Sequence, residues 1–301
     1  MLKKILFGIL IFWGNASQAK SLSVNTAQGD VSIDAPVTRI IAFPAGVIDS
    51  LDALGVPLVG VPSDVHLDYI NQPNTQTVGT LFSADVEAIH RLDPDLVIVG
   101  TRSAGQLKAV SQVSKAIDMS LAPGNHYRAA INRMHQLAAM TGKQVQAKQI
   151  EEDLSRLVTD VKKLVPLGDD VMVVMLMGRS LHMLTEKTRI DWFASELGIQ
   201  LMGDPSIQLG ELAPISYEYI LAKNPDWLIV FDRDAAVGIT TNSQAKQRMD
   251  NPLVKMTHAS KSEQIIYLDG VGTLNAVGGV QGIKNTLLQL KQGFSPANGV
   301  Q

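Results

Sequence analysis

The chain has 301 residues, 46% of them hydrophobic, enough to bury two moderate cores of ordinary domain size. Its 26 basic and 29 acidic residues leave a formal net charge of -3, which gives no field to attract nucleic acid or anionic lipid, so neither is an expected partner. Cysteine is absent, which excludes a disulfide framework, a lipid-modified Cys anchor and thiol chemistry.

Lys3-Lys4 precedes the apolar run Ile5 to Trp13, and Asn15-Ala-Ser-Gln-Ala19 supplies small residues, with Ser17 and Ala19 at signal-peptidase spacing. The run is about half the roughly 20 apolar residues that a spanning helix needs, so residues 1–19 are read as a signal peptide cleaved after Ala19. The mature chain from Lys20 is then expected to be a soluble periplasmic protein. Leu22 to Ile33 reads as a short hairpin, and Arg39 to Phe43 as the first core strand before the turn Pro44-Ala-Gly46. A helix from Val47 to Leu54 is stopped by Gly55, and Val56 to Val61 is a second strand. A polar surface loop rich in Pro, Asn, Asp and Thr then leads to Gly79-Thr-Leu-Phe82.

Next comes a phrase that the chain writes twice. Glu87-Ala-Ile-His-Arg-Leu-Asp-Pro-Asp-Leu-Val-Ile-Val99 returns as Glu218-Tyr-Ile-Leu-Ala-Lys-Asn-Pro-Asp-Trp-Leu-Ile-Val230. Each copy reads as a helix, a break at Pro-Asp (Pro94-Asp95, Pro225-Asp226) and a fully buried parallel strand. With a further strand near Ala116 to Leu121, β and α alternate through an N-terminal lobe, which implies a doubly wound, largely parallel sheet. The longest helical signal follows Gly142 and runs from Lys143 to about Leu164, with Val145, Ile150, Leu154, Leu157, Val158, Val161 and Leu164 at helical spacing. At 1.5 Å per residue it would span roughly 33 Å and form a stiff connection. The second lobe repeats the grammar: strand Val171 to Met177, a turn at Gly178-Arg-Ser180, strand Leu181 to Leu184, and helix Asp191 to Leu197 ended by Gly198. After the second copy of the phrase come an amphipathic region, Gln244 to Met256, and a strand, Gln264 to Leu268. A Gly-rich turn through Gly270, Gly272, Gly278 and Gly279 leads to a closing helix to about Leu290. The expected organisation is an α/β fold of two lobes, each a mostly parallel sheet flanked by helices, joined by one long helix. The segments are 20–142 for the first lobe, 143–166 for the interlobe helix, 167–292 for the second lobe and 293–301 for a flexible tail.

Ligands of open parallel sheets sit beyond the carboxyl ends of the strands. Pro44 and Ala45, Phe82, Arg102, Arg189, Arg233 and Thr273 to Asn275 fall there, three of them arginines. Other chemistry is weakly represented. The six histidines, His66, His90, His126, His135, His182 and His258, show no metal-ligand spacing with carboxylates, so no zinc or manganese site is expected. There is no G-x-S-x-G phrase, and Gly278-Gly279 lacks P-loop spacing. The methionines of Met172 to Met177 read as strand core rather than thioether ligands.

These residues together resemble a known family: the exported substrate-binding proteins of iron-siderophore, haem and cobalamin ABC importers. The resemblance lies in Arg39-Ile-Ile-Ala-Phe43, Leu51-Asp-Ala-Leu-Gly55, Gly79-Thr-Leu-Phe82, the doubled phrase, Thr188-Arg189, Phe231-Asp-Arg233, and Tyr267-Leu-Asp269 with Gly278-Gly279. It covers nearly the whole mature chain and is strongest to the branch that binds ferric catecholate siderophores. It implies no enzyme activity and no resident cofactor, a monomer, and a ferric siderophore held in a shallow cleft. Delivery would be to an inner-membrane ABC permease dimer with its ATPase. Arg102, Arg189 and Arg233 match that branch's cleft arginines, with Phe82, Pro44 and Asn275 beside them. A ferric complex of three catecholates carries on the order of three negative charges, and arginine offers a permanent cation, planar donors and a stacking face. Glu87 and Glu218 match surface acids, one per lobe, that dock on permease arginines; each carboxylate also suits a helix N-terminus. The chain departs from the branch where a protein His and Tyr complete the iron shell. Those places read Gly210-Glu-Leu-Ala213 and Gly272-Thr-Leu-Asn275, so a ligand that itself saturates iron is expected, with Glu211 the weak remaining oxygen donor. The alternatives are a haem or corrinoid binder of the same class, and, from another class, a periplasmic α/β hydrolase or chelating enzyme on a similar scaffold.

Overall fold

The computed structural model describes residues 20–295 apart from 71, 73, 123, 204–211 and 241–242. The expected signal peptide, Glu211 and the last six residues of the tail therefore lie outside the described residues.

The chain opens with an antiparallel hairpin, β1 (Lys20–Thr26) and β2 (Gly29–Ala35). The first lobe follows: β3 (Ile40–Ala42), α1 (Ala45–Ala53), β4 (Leu58–Val61), β5 (Gln76–Thr77), α2 (Val86–Leu92), β6 (Leu96–Val99), a 3-10 turn Thr101–Gln106, α3 (Leu107–Val110) and β7 (Ala116–Asp118). Its five strands pair in parallel in the order β5-β4-β3-β6-β7, the alternating pattern read from the sequence. β5 lies inside the loop expected to be irregular, where two exposed residues carry no apolar signal.

Two helices lead away, α4 (His126–Thr141) and α5 (Gln144–Lys162), separated by Gly142 at φ 72, a left-handed cap that suits glycine. The 19 residues of α5 make it about 28 Å long. It stops short of Leu164 because Val165 precedes Pro166 and is biased away from helix. Its buried face is Ala147, Leu154 and Val161, every seventh residue, whereas Val145, expected on that face, is 81% exposed.

The second lobe comprises β8 (Val171–Met177), β9 (Ser180–Leu184), α6 (Asp191–Ser195), β10 (Ala213–Ile215), α7 (Tyr217–Lys223), β11 (Trp227–Asp232), α8 (Arg233–Ala236), α9 (Ala245–Met249), α10 (Pro252–Lys255), α11 (His258–Lys261), β12 (Ile265–Leu268), a π-turn Val271–Asn275 and α12 (Val280–Phe294). Its sheet order is β10-β9-β8-β11-β12, parallel on the β11 side and antiparallel on the β9 side, because the tight Gly178 turn returns β9 as a hairpin. The amphipathic stretch Gln244 to Met256 holds two short helices, α9 and α10, and α11 follows it. α12 runs past the expected lobe end at residue 292 to the buried Phe294, whose ring centroid lies 4.9 Å from that of Trp227.

The composition suggested two cores, and the packing corrects this. One continuous apolar cluster runs from Ile40, Leu96 and Ile98 through α4, α5 and α12 to Val171, Val173, Ile229 and Ile266. Two smaller clusters cover the outer faces of the sheets, around Ile41, Phe43 and Val97 in one lobe and Met172, Val174 and Leu228 in the other. Neighbouring residues of each buried strand thus serve opposite faces, as the two-residue period of a strand requires. Three helices shared by both lobes merge the inner faces, and each large side chain sealed there contributes about 1.5–3 kcal/mol.

Polar stitches reinforce this seam. Asp49 on α1, fully buried, accepts the backbone N–H groups of Gln281 at 2.8 Å and Gly282 at 2.9 Å, and so caps α12 from the other lobe. Tyr69 donates its hydroxyl to the same carboxylate at 2.6 Å. Burial, opposed by these donors and by the Arg133 charge, pushes the Asp49 carboxyl up to about 6. Arg133 on α4 donates to the carbonyls of Met119, Val277 and Gly278, and burial, with the Asp49 charge opposing, brings it down to about 10. Gly46 is required where the lobes meet, since a Cβ there would lie 2.2 Å from the Val277 carbonyl oxygen.

Candidate functional site

A cavity of about 1050 Å³ opens between the lobes at the carboxyl ends of the strands. Pro44, Arg102, Arg189 and Asn275, all singled out from the sequence, line it together with Ala45.

Arg102 projects from the 3-10 turn after β6. That turn is entered through Thr101 at φ 49, a left-handed conformation costly for a β-branched residue. It is held by the Thr101 N–H donating to Ser120 Oγ at 2.6 Å and by Gly100 N–H donating to Ser103 Oγ at 3.0 Å. Arg189 stands in the turn between β9 and α6, fixed by buried Thr188, whose hydroxyl donates to the Thr185 carbonyl at 2.8 Å. The two arginines come from opposite lobes and donate to one acceptor, the carbonyl of Leu274 in the π-turn, at 3.1 Å from Arg102 and 3.2 Å from Arg189.

Neither has a carboxylate within ion-pair distance among the described residues. Arg189 is half-buried. Arg102 is open to solvent in the cleft, yet enough protein surrounds its head to strip part of its hydration. Burial first, then the charges of Arg102 and Arg233, hold the Arg189 guanidinium below its ordinary value. Burial first, then Arg233, does the same to Arg102, with Asp64 opposing. Three cations thus oppose one another around a site where a neutral carbonyl is the shared acceptor of two of them, and an entering anion would relieve this.

Arg233 and Phe82 sit differently. Arg233 opens α8 directly after β11; it does not line the cavity and pairs with Asp234 at 3.2 Å. It acts on the cleft through its field. Phe82 is 66% exposed and lies outside the lining, which its neighbour Leu81 joins instead. Asn275 is buried with its amide donating to the His66 carbonyl at 2.7 Å, so it ties the first lobe's 62–70 loop to the π-turn.

Glu87 and Glu218 are exposed and occupy the second position of α2 and α7, whose N-caps Asp85 and Ser216 accept from Ala88 and Tyr219. Its own backbone N–H and the Ser216 hydroxyl hold the Glu218 carboxyl below the usual range. No group of three His, Asp or Glu side chains is arranged to hold a metal ion among the described residues.

The far wall of the cavity was not anticipated. It is formed by Leu121, Asn125, His126, Lys187 and Asp191, with Arg133 in the floor. Asn125 and His126 open α4 just beyond the carboxyl end of β7, so the strand-end rule, applied to β7 as to β3 and β6, finds them. Asn125 donates to Glu196 at 2.6 Å and Arg128 pairs with Glu196 at 3.0 Å, joining α4 to α6 across the lobes.

Residues 40–271 match the periplasmic binding protein family, and the chain belongs to it. Among its relatives, the petrobactin-binding protein YclQ of Bacillus subtilis is 27% identical over 263 residues, 85% of this chain and 82% of that one. The ferric-anguibactin-binding protein FatB of Vibrio anguillarum is 27% identical over 240 residues, 77% of this chain and 74% of its own. The solved periplasmic catecholate-siderophore binding protein VctP of Vibrio cholerae superposes with a TM-score of 0.83 at 23% identity, over 91% of this chain and 100% of that one. At that identity the likeness establishes the two-lobed fold. No helix among the described residues is long and apolar enough to cross a membrane.

Proposed function

We propose that this chain is exported with cleavage after Ala19 and captures a ferric siderophore of the catechol type in the periplasm. It then hands the complex, as a monomer and without catalysis, to an inner-membrane ABC permease. One observation carries the reading: Arg102 and Arg189, from opposite lobes, converge on a single neutral carbonyl with no carboxylate partner, beside the field of Arg233. Buried or crowded cations are retained where an anion completes them. A bulky chelate with on the order of three negative charges suits planar, stacking guanidinium groups. Relatives named for binding petrobactin and ferric anguibactin support an iron-chelate ligand.

Lobes 20–142 and 167–292, bridged by 143–166, are the units that would grip the complex. Thr273 to Asn275 are buried and the Asn275 amide is engaged, so this turn leaves iron to a chelator that already saturates it. Titrating tryptophan fluorescence with ferric and iron-free siderophores, haemin and cobalamin tests the reading. Quenching by ferric catecholates is expected, and a response to haemin or cobalamin alone would replace the ligand class.

Glu87 and Glu218 are proposed to meet two permease cations, one per lobe, where charge complementarity sets orientation and encounter rate. Reversing both charges, Glu87→Arg with Glu218→Arg, should abolish uptake in a reconstituted importer and leave ligand affinity unchanged. Normal uptake by the double variant would remove this role.

A further inference from the structure

We propose that His126 is a further ligand-binding residue, which takes up a proton as an anionic chelate enters the cleft. The proposal rests on the siderophore reading above.

The imidazole is anchored at one edge and presented at the other. Asp191, from the second lobe, accepts the backbone N–H of His126 at 3.1 Å and lies 2.8 Å from Nδ1. This two-point clamp commits the Nδ1 proton to the carboxylate and fixes the ring plane. Nε2 has no protein partner among the described residues. The ring is half-buried, and it lines both the main cavity and a small recess shared with Arg189. A polar edge without a protein partner, steered by a carboxylate toward the ligand cavity, is placed to contact whatever fills it.

The sign of the contact follows from the tautomer. With Nδ1–H on Asp191, a neutral ring offers a lone pair at Nε2, which repels an anionic oxygen, whereas an imidazolium donates to it. The charges around the ring are Arg128 and, in the floor, Arg133 on its own helix, Asp191 of α6 and Glu196 at the end of that helix, and Glu186, Lys187 and Arg189 from the preceding turn. A chelate with on the order of three negative charges favours the imidazolium form and draws a proton onto Nε2. Histidine changes charge between about pH 5 and 8, so affinity for the anionic complex falls as pH rises across that range.

The test is calorimetric titration near neutral pH with the ferric complex of a hexadentate tris-catecholamide, in two buffers of different protonation enthalpy. The wild-type protein is expected to take up a fraction of a proton. H126Q should lose that uptake and about tenfold in affinity, and D191N should reduce the uptake as well. Equal proton counts in wild type and H126Q overturn the proposal. Should H126Q and D191N fail to fold by circular dichroism, the wild-type affinity at about pH 5.5 and 8 decides, and an unchanged value overturns it. A wild-type protein that binds no ferric catecholate fails the siderophore reading itself and this proposal with it, whereas binding without proton uptake fails only the proposal.

Discussion

In the first copy of the doubled phrase, Asp85 caps α2, Asp93 turns left-handed at φ 43, and Asp95 fixes the start of β3 by accepting from Thr38 N–H, Thr38 Oγ1 and Arg39 N–H at 2.8–2.9 Å. In the second, Ser216 caps α7, Asn224 turns at φ 46, and Asp226 accepts the Asp170 N–H at 2.9 Å before β8. The same interval separates Glu87 from Glu218, Asp95 from Asp226 and Arg102 from Arg233. The repeat therefore extends past the strand to one arginine per lobe, and there the copies diverge. Gly100 and Thr101 lead the first into a 3-10 turn that delivers Arg102 to the cleft, whereas Asp232 caps α8 and leaves Arg233 beside Asp234 at the edge. Two lobes can share a scaffold while the residues just after the strand decide which of the two repeated arginines lines the cleft.

That asymmetry is open to attack. Arg102→Ala combined with Arg189→Ala should lower affinity for a ferric catecholate about a thousandfold, and Arg233→Ala about tenfold. Fluorescence titration reads both, and equal losses from Arg102→Ala and Arg233→Ala alone would erase the distinction between the copies.

The join between lobes gives a smaller, pH-dependent effect. The Asp49 carboxyl sits at about 6 in the folded chain against about 3.9 unfolded, so the native state holds the extra proton between those values. Stability from this group is present below the unfolded value and is lost as pH rises through about 6. Relative to Asp49→Asn, wild type should gain on the order of 2 kcal/mol between pH 7 and 4.5 in urea melts. Parallel curves would show that the carboxyl is not buried against α12 as described.

Smallest is the difference between the repeated aspartates. Asp95→Ala removes an acceptor of three donors and should cost about 1–2 kcal/mol, and Asp226→Ala about 1 kcal/mol. Reversal of that order in thermal melts would mean that the second copy carries more of the scaffold.

Much of this architecture is legible in the chain because apolar period and Pro-Asp breaks are local signals. The buried strands Leu96 to Val99 and Trp227 to Val230, the second of which runs on to Asp232, and the Gly142 boundary between α4 and α5 needed no tertiary information. β5 was missed because two exposed residues pair only through backbone groups. The merged core was missed because no sequence period reports which helices are shared. At the site, the strand-end rule found Arg102, Arg189, Pro44 and Asn275, and it reaches the wall at Asn125 and His126 only when it is applied to β7 as well. Nothing local distinguishes Arg133 from a surface arginine; its burial follows from the approach of the Val277 and Gly278 carbonyls.

The cap that Asp49 places on α12 has a consequence for how the gene product can be divided. A fragment ending at Thr141 would leave that carboxylate facing water with Gln281 and Gly282 gone, and would strip the oily surface that α5 and the last helix seal. A fragment of that length is expected to melt well below the whole chain, which circular dichroism would read, and the fifteen residues of α12 are the part it lacks most.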